Sequence, residues 1–239
     1  MNLAKQAEIT AEAFASRFLD DTFGYDIFLG SQIERIVAEN AHIIYRSILD
    51  PKFFSAAVTH QSGEEFVVLN TSQPLRIRYF TAAHELWHLS DASKIQHEDF
   101  NHERAADRFA ACIMLPKPLL TSLWRKFKEH WNEEQAILFI SDLASAPYKT
   151  VERRIEEIGE QIKITHTEES WVKLREKYHL PFSPLDYPVH DIRFTAYERQ
   201  VLQHVAKGLD PLTASNKLAI FSSAMSEELR QEGLDYEET

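Results

Sequence analysis

Apolar residues recur at helical spacing near the start of the chain. Ala4, Ala7, Ile9, Ala11, Phe14, Phe18 and Leu19 fall mostly on one side of a 3.6-residue repeat, which predicts an amphipathic helix over residues 4–19. Residues 27–39 predict a second. The texture then turns β-branched and aromatic. His42-Ile43-Ile44-Tyr45-Arg46 reads as a short strand, and residues 53–60 and 65–70 flank Gln61-Ser62-Gly63-Glu64 as the arms of a hairpin. Thr71-Ser72-Gln73-Pro74 offers a hydroxyl N-cap and a first-turn proline, which opens a helix over about residues 74–89. A helix over 102–114 should stop at Leu115-Pro116, and another starts at Pro118 with Leu119, Leu120, Leu123, Trp124 and Phe127. Residues 133–144 and 147–162 predict two more helices around Ser145-Ala146-Pro147. Beyond them come a helix over 170–178, an extended connector between Pro181 and Pro188, a helix over 196–207, and an acidic tail expected to fray.

At 239 residues, 44% hydrophobic and 11% aromatic, the chain can bury a sizeable core. A net charge of −11 disfavours non-specific contact with nucleic-acid phosphates. The charge-free apolar runs are far too short to span a bilayer, and charges interrupt the N-terminal apolar pattern, so neither a membrane span nor a signal peptide is expected. Cys112 is the only cysteine, which rules out an intrachain disulfide and fits a reducing, cytoplasmic setting.

The chemistry concentrates at His84-Glu85-Leu86-Trp87-His88, inside the predicted 74–89 helix. Helical positions four apart lie roughly 40° from each other, so His84 and His88 can share one tetrahedral zinc at roughly 2.0–2.1 Å. Glu85 follows the first histidine, where a carboxylate can reach a metal-side water without ligating the ion. A metzincin pattern would need glycine three residues and histidine six residues past His88; Asp91 and Lys94 stand there instead. Glu103, fifteen residues past His88, supplies a carboxylate as third ligand. Asp107 shares its helical face and can accept a hydrogen bond from the second ring nitrogen of either His84 or His88. The bland alternative makes Glu103 and Asp107 a solvated helix face. His97 and His102 read as surface residues of a polar loop, Asp91 as the end of the helix, Cys112 as a small core residue turned away from the metal, and Trp87 as packing.

The run from Arg78 to Leu89, followed by Glu103-Arg104-Ala105-Ala106-Asp107-Arg108-Phe109-Ala110-Ala111-Cys112-Ile113-Met114-Leu115-Pro116, resembles the ImmA/IrrE metallopeptidase family. The resemblance spans about residues 25–160 and includes Ala144–Gly159, similar to the arginine-containing helix near the family's domain end. Trp87 stands where the family usually has glycine, which would narrow the cleft, and Asp107 where asparagine is common. The resemblance implies an α+β fold. Residues 164–239 lie beyond the resemblance and read from their own pattern as a helical C-terminal extension expected to control partner choice, while the resemblance makes residues 1–163 a mostly helical, zincin-like catalytic domain with a small antiparallel sheet. It implies a gluzincin-like zinc endopeptidase holding one Zn2+ on His84, His88 and Glu103, with Glu85 as general base. Tyr148 is its candidate for stabilising the oxyanion, weighed against a half-buried structural tyrosine. An extended substrate would pair with an edge strand, with residues 65–69 as the expected template. The implied substrate is a helix-turn-helix repressor of the lambda-repressor type, cut in a phage, mobile-element or stress circuit, with no direct nucleic-acid or membrane partner.

Two other readings stand beside this one. Residues 133–160 could form a DNA-binding helix-turn-helix with Lys149, Arg153 and Arg154 on its second helix, although Glu152, Glu156 and Glu157 dilute that face. A metal-binding scaffold that does not cut is the third. The connector from Pro181 to Pro188 either crosses the cleft or simply joins helices.

Overall fold

The computed structural model describes residues 3–210 apart from residues 62, 98, 191 and 192, together with residue 213. Internal contacts divide the chain into two units, Met1–Arg193 and Phe194–Thr239. In the second, the described residues form the helix Thr195–Ala206. The acidic tail expected to fray lies outside the described residues.

The first unit opens with α1 (Leu3–Thr22), which buries Ala7, Ala11, Ala15 and Leu19 at four-residue intervals. That stripe of mostly small side chains lets α1 lie close against α5 (His102–Met114), whose own buried face carries Ala105, Ala106, Phe109 and Ala110. α2 (Gln32–Asn40) leads into β1 (His42–Arg46), and β2 (Ser55–Thr59) and β3 (Glu65–Asn70) form the expected hairpin. The sheet differs from the antiparallel one expected. β1 lies parallel to β3, with Ile43 opposite Val67 and Tyr45 opposite Leu69, so these three strands of the four-stranded sheet run in the order β2-β3-β1 and the sheet is mixed. Period-2 alternation fixes which face of β1 is buried but not which partner it chooses.

β3 runs into α3 (Leu75–Leu89), the helix that carries both histidines. Its start departs from expectation: Pro74 occupies the N-cap with no side-chain cap, and the Leu75 amide donates to the Tyr187 carbonyl at 3.2 Å. A distant segment thus satisfies an end that a hydroxyl was expected to cap. After Leu89, Ser90 caps the single turn of α4 (Asp91–Lys94), so Asp91 no longer continues the histidine face. α5 is capped by Asn101, whose side chain accepts from the Arg104 amide at 2.9 Å. α6 (Lys117–Lys128), α7 (Glu133–Ala144, opened by an Asn132/Gln135 capping box) and α8 (Tyr148–Glu157) follow. α7 closes on Ser145 in the left-handed conformation, φ 51°, which turns the chain sharply into α8.

The boundary expected near residue 163 falls inside the first unit. α9 (Glu168–Lys177) buries Trp171 completely, stacked on Tyr148 at 5.7 Å with its indole N–H donating to Glu152 at 2.6 Å. The proline-rich connector that follows does not cross the metal cleft. It docks on the N-terminal end of α3, where Pro74 and Pro188 form an antiparallel bridge and Asp186 reaches Arg76. Spacing along the chain shows where such a segment lies in sequence, not where its buried charge finds a partner.

Candidate active site

On α3, His84 and His88 face one another with their Nε2 atoms 3.2 Å apart. From α5, Glu103 places one carboxylate oxygen 3.4 Å from His84 Nε2 and the other 3.5 Å from His88 Nε2. Ligands at roughly 2.0–2.1 Å from a tetrahedral ion sit about 3.3–3.4 Å from each other. The three donors therefore stand at the spacing a zinc ion requires. Among the described residues they are the group of three or more such side chains able to hold a metal. His97 and His102 are not part of it, and His97 turns outward onto Asp99.

The supporting contacts fix the donors. His84 Nδ1 donates to Asp107 Oδ1 at 3.0 Å, which chooses His84 over His88 as the partner of that carboxylate and leaves its Nε2 lone pair aimed at the centre. Burial pulls the His84 pKa down, but the Asp107 hydrogen bond with the nearby Glu85 and Glu103 charges outweighs it and the net shift is upward. His88 shifts the other way, through burial and the neighbouring His84. Asp107→Ala should weaken metal binding about 10- to 100-fold, by the usual effect of losing such a partner. Competition against a chromogenic chelator measures it, and an unchanged dissociation constant would refute the role.

Glu85 is buried on the far side of α3 from the aromatic core and points at β2. Its carboxylate accepts from the Ser55 hydroxyl at 2.5 Å and from the Ala57 backbone N–H. Burial nonetheless pushes its pKa up, as suits a carboxylate that must take and release a proton. Ser55 and Ala57 were not singled out in the sequence. Small residues in a half-buried strand carry no signal that a carboxylate thirty positions away will need their donors.

Several expectations change here. Tyr148 does not face the metal. It is fully buried under Trp171, its hydroxyl donates to the Asp186 carboxylate at 2.9 Å, and Arg76 stacks on its ring at 4.5 Å, so it cannot reach an oxyanion in the cleft. Trp87 does not narrow the cleft either: it is fully buried among Phe14, Phe100 and Phe109. Cys112 is a buried core thiol, its pKa pushed up to about 11 by burial. The strand at 65–69 is the middle of the sheet, so β2 is the edge that lines the cleft.

The cleft itself is an open hollow of about 820 Å³. α3 forms its floor, β2 and the loop at 52–54 form one wall, and Glu103, Asp107 and the start of α8 form the other. The loop is held by Asn70, whose fully buried amide donates to the carbonyls of Ile48 and Phe53 and whose oxygen accepts from the amides of Ile48 and Ser72. Glu168 closes the α8 side, accepting from the Tyr148 and Lys149 amides at 3.2 and 2.8 Å and so capping that helix. The helix-turn-helix reading keeps only Arg153 of its basic face. Arg154 is buried against Glu12, Glu157 and the Leu115 carbonyl, and Lys149 pairs with Glu152.

A family model described as the IrrE N-terminal-like domain of the M78 peptidases matches residues 31–156, just over half of the chain. The chain belongs to the M78 peptidase family. Membership supports a metallopeptidase-type function and agrees with the ImmA/IrrE resemblance of the motif. No curated protein matches the chain. The M78 match stops at residue 156, so Glu168, α9 and the docked connector are additions from outside the matched segment. No described helix of this M78 chain is long and apolar enough to cross a membrane.

Proposed function

We propose that this chain is a zinc-dependent endopeptidase that cuts a helix-turn-helix repressor of the lambda-repressor type at one site, in the cytoplasm. The observation that carries the metal and the reaction is the coincidence, in one open cleft, of three donors at tetrahedral spacing with the buried carboxylate of Glu85 beside them. His84, His88 and Glu103 would hold the ion, which when bound supplies Lewis acidity next to an open coordination position. Ser55 and Ala57 hold Glu85 in one orientation, from which its carboxylate takes a proton from water in the cleft and returns it to the leaving amine. β2 is the edge strand, and apart from the Ala57 N–H held by Glu85 it offers that edge to an extended peptide; the exposed Phe54 and Val58 beside it suit an apolar stretch of substrate. The repressor as substrate follows from the ImmA/IrrE resemblance. Co-expression with a candidate repressor, wild type against Glu85→Gln, tests it: discrete fragments that appear only with the wild type support the reading, and an intact repressor in both removes that substrate.

A further inference from the structure

We infer that Arg153 selects an acidic residue on the C-terminal side of the peptide bond that is cut, an inference that rests on the peptidase reading above. The chain carries a net charge of −11, yet the wall of the cleft opposite β2 presents a cation. Of the three basic residues on α8, Lys149 is neutralised by Glu152 and Arg154 is buried on Glu12 and Glu157. Arg153 is exposed, lines both the metal cleft and the adjoining hollow beyond Asp107, and forms no ion pair among the described residues. Across the cleft, Lys52 is exposed as well.

The direction of the peptide follows from how β2 lies along α3. Ser55 and Ala57 meet Glu85, about one turn before the C-terminal end of that helix. At the other end of the strand Thr59 donates to Glu65, and Glu65 pairs with Lys94, which lies past the C-terminus of α3. β2 therefore runs in the same sense as α3. A peptide added antiparallel to β2, the more stable pairing, enters near Thr59 and leaves past Ser55 toward Phe53 and Lys52. On the floor of that exit lie Ile77 and Phe80, which precede His84 by two turns and by one. Phe80 also shares the adjoining hollow with Arg153. Residues that follow the cut bond thus pass Arg153. A guanidinium fork matches a carboxylate in two parallel hydrogen bonds. At an exposed site the resulting preference is up to about fivefold.

The test uses the full chain loaded with zinc and a library of random decapeptides blocked at both ends. Mass analysis of the products should show Asp and Glu enriched about fivefold at one position after the cut. Arg153→Ala should erase that preference and Arg153→Glu should replace it with Lys and Arg. In parallel, the same library is retained on immobilised Glu85→Gln protein with Arg153 intact or changed to Glu. Acidic peptides held by the first and released by the second sustain the inference even if the wild type cuts nothing, an outcome that would sink the peptidase reading alone. Equal retention of acidic, neutral and basic peptides, or an acidic preference unchanged in Arg153→Glu, overturns it.

Discussion

Glu85→Gln should lower kcat/KM for peptide-bond cleavage by about 10²- to 10⁴-fold, the usual contribution of a positioned general base, while metal content stays at the wild-type level. The amide keeps the size of the carboxylate and still offers an oxygen to the Ser55 hydroxyl and the Ala57 N–H, so the local packing is preserved. What it lacks is a site for the transferred proton. His84, His88 and Glu103 do not depend on that carboxylate for their positions, since Asp107 orients His84 from the other side. A variant that cuts within about threefold of wild type would show that Glu85 does not perform the proton transfer. A variant that abolishes cleavage but also loses its metal would mean a structural role. The same pair of measurements separates a peptidase from a scaffold that only sequesters a partner, because a pure binder keeps its effect when Glu85 is neutralised.

Asp186→Ala should produce the largest loss of stability. Asp186 and Arg76 are almost wholly buried, with Arg76 Nε donating to the carboxylate at 2.6 Å. Around them Arg76 also donates to Ser141 and Ser183 and pairs with Asp142, while Arg175 reaches Asp142 at 3.0 Å and Asp186 at 3.9 Å. Two guanidinium groups are thus matched by two carboxylates inside the unit. Removing one carboxylate leaves an uncompensated buried charge and takes away the acceptor of the Tyr148 hydroxyl proton, at a cost of about 3–5 kcal/mol. For a unit of this size that lowers Tm by about 10 °C. The consequence reaches the site, because Arg76 stands two turns before His84 on the same helix. A thermal midpoint within about 2 °C of wild type would show that the connector is an appendage and not part of the catalytic unit.

The ease with which the metal site is read from the sequence, and the difficulty of reading that network, have one physical cause. His84, Glu85 and His88 are related by the period of a single helix, and Glu103 and Asp107 by the period of the next. Local periodicity therefore determines their shared faces. Asp107 could serve either histidine on those grounds, and only the packing of α5 on α3 selects His84. Most helices were legible for the same reason, as was the β2–β3 hairpin. The parallel partner of β1, the edge position of β2, the burial of Tyr148 and the docking of Asp186 on Arg76 are relations between distant segments. No repeat along the chain encodes them. Tyr148 is a candidate through the family resemblance alone, and nothing near it in sequence shows that Trp171, twenty-three residues later, covers it.

All of the proposed chemistry depends on one divalent ion held between two helices. The direct measurement is the zinc-to-protein ratio of the purified chain after dialysis against metal-free buffer, wild type beside Glu103→Ala. The geometry predicts about one zinc per chain in the wild type, as three well-placed donors imply, and a large loss in the variant, whose remaining ligands are two histidines on one helix. A wild type without metal, or a Glu103→Ala protein that holds zinc as tightly as its parent, would contradict the account.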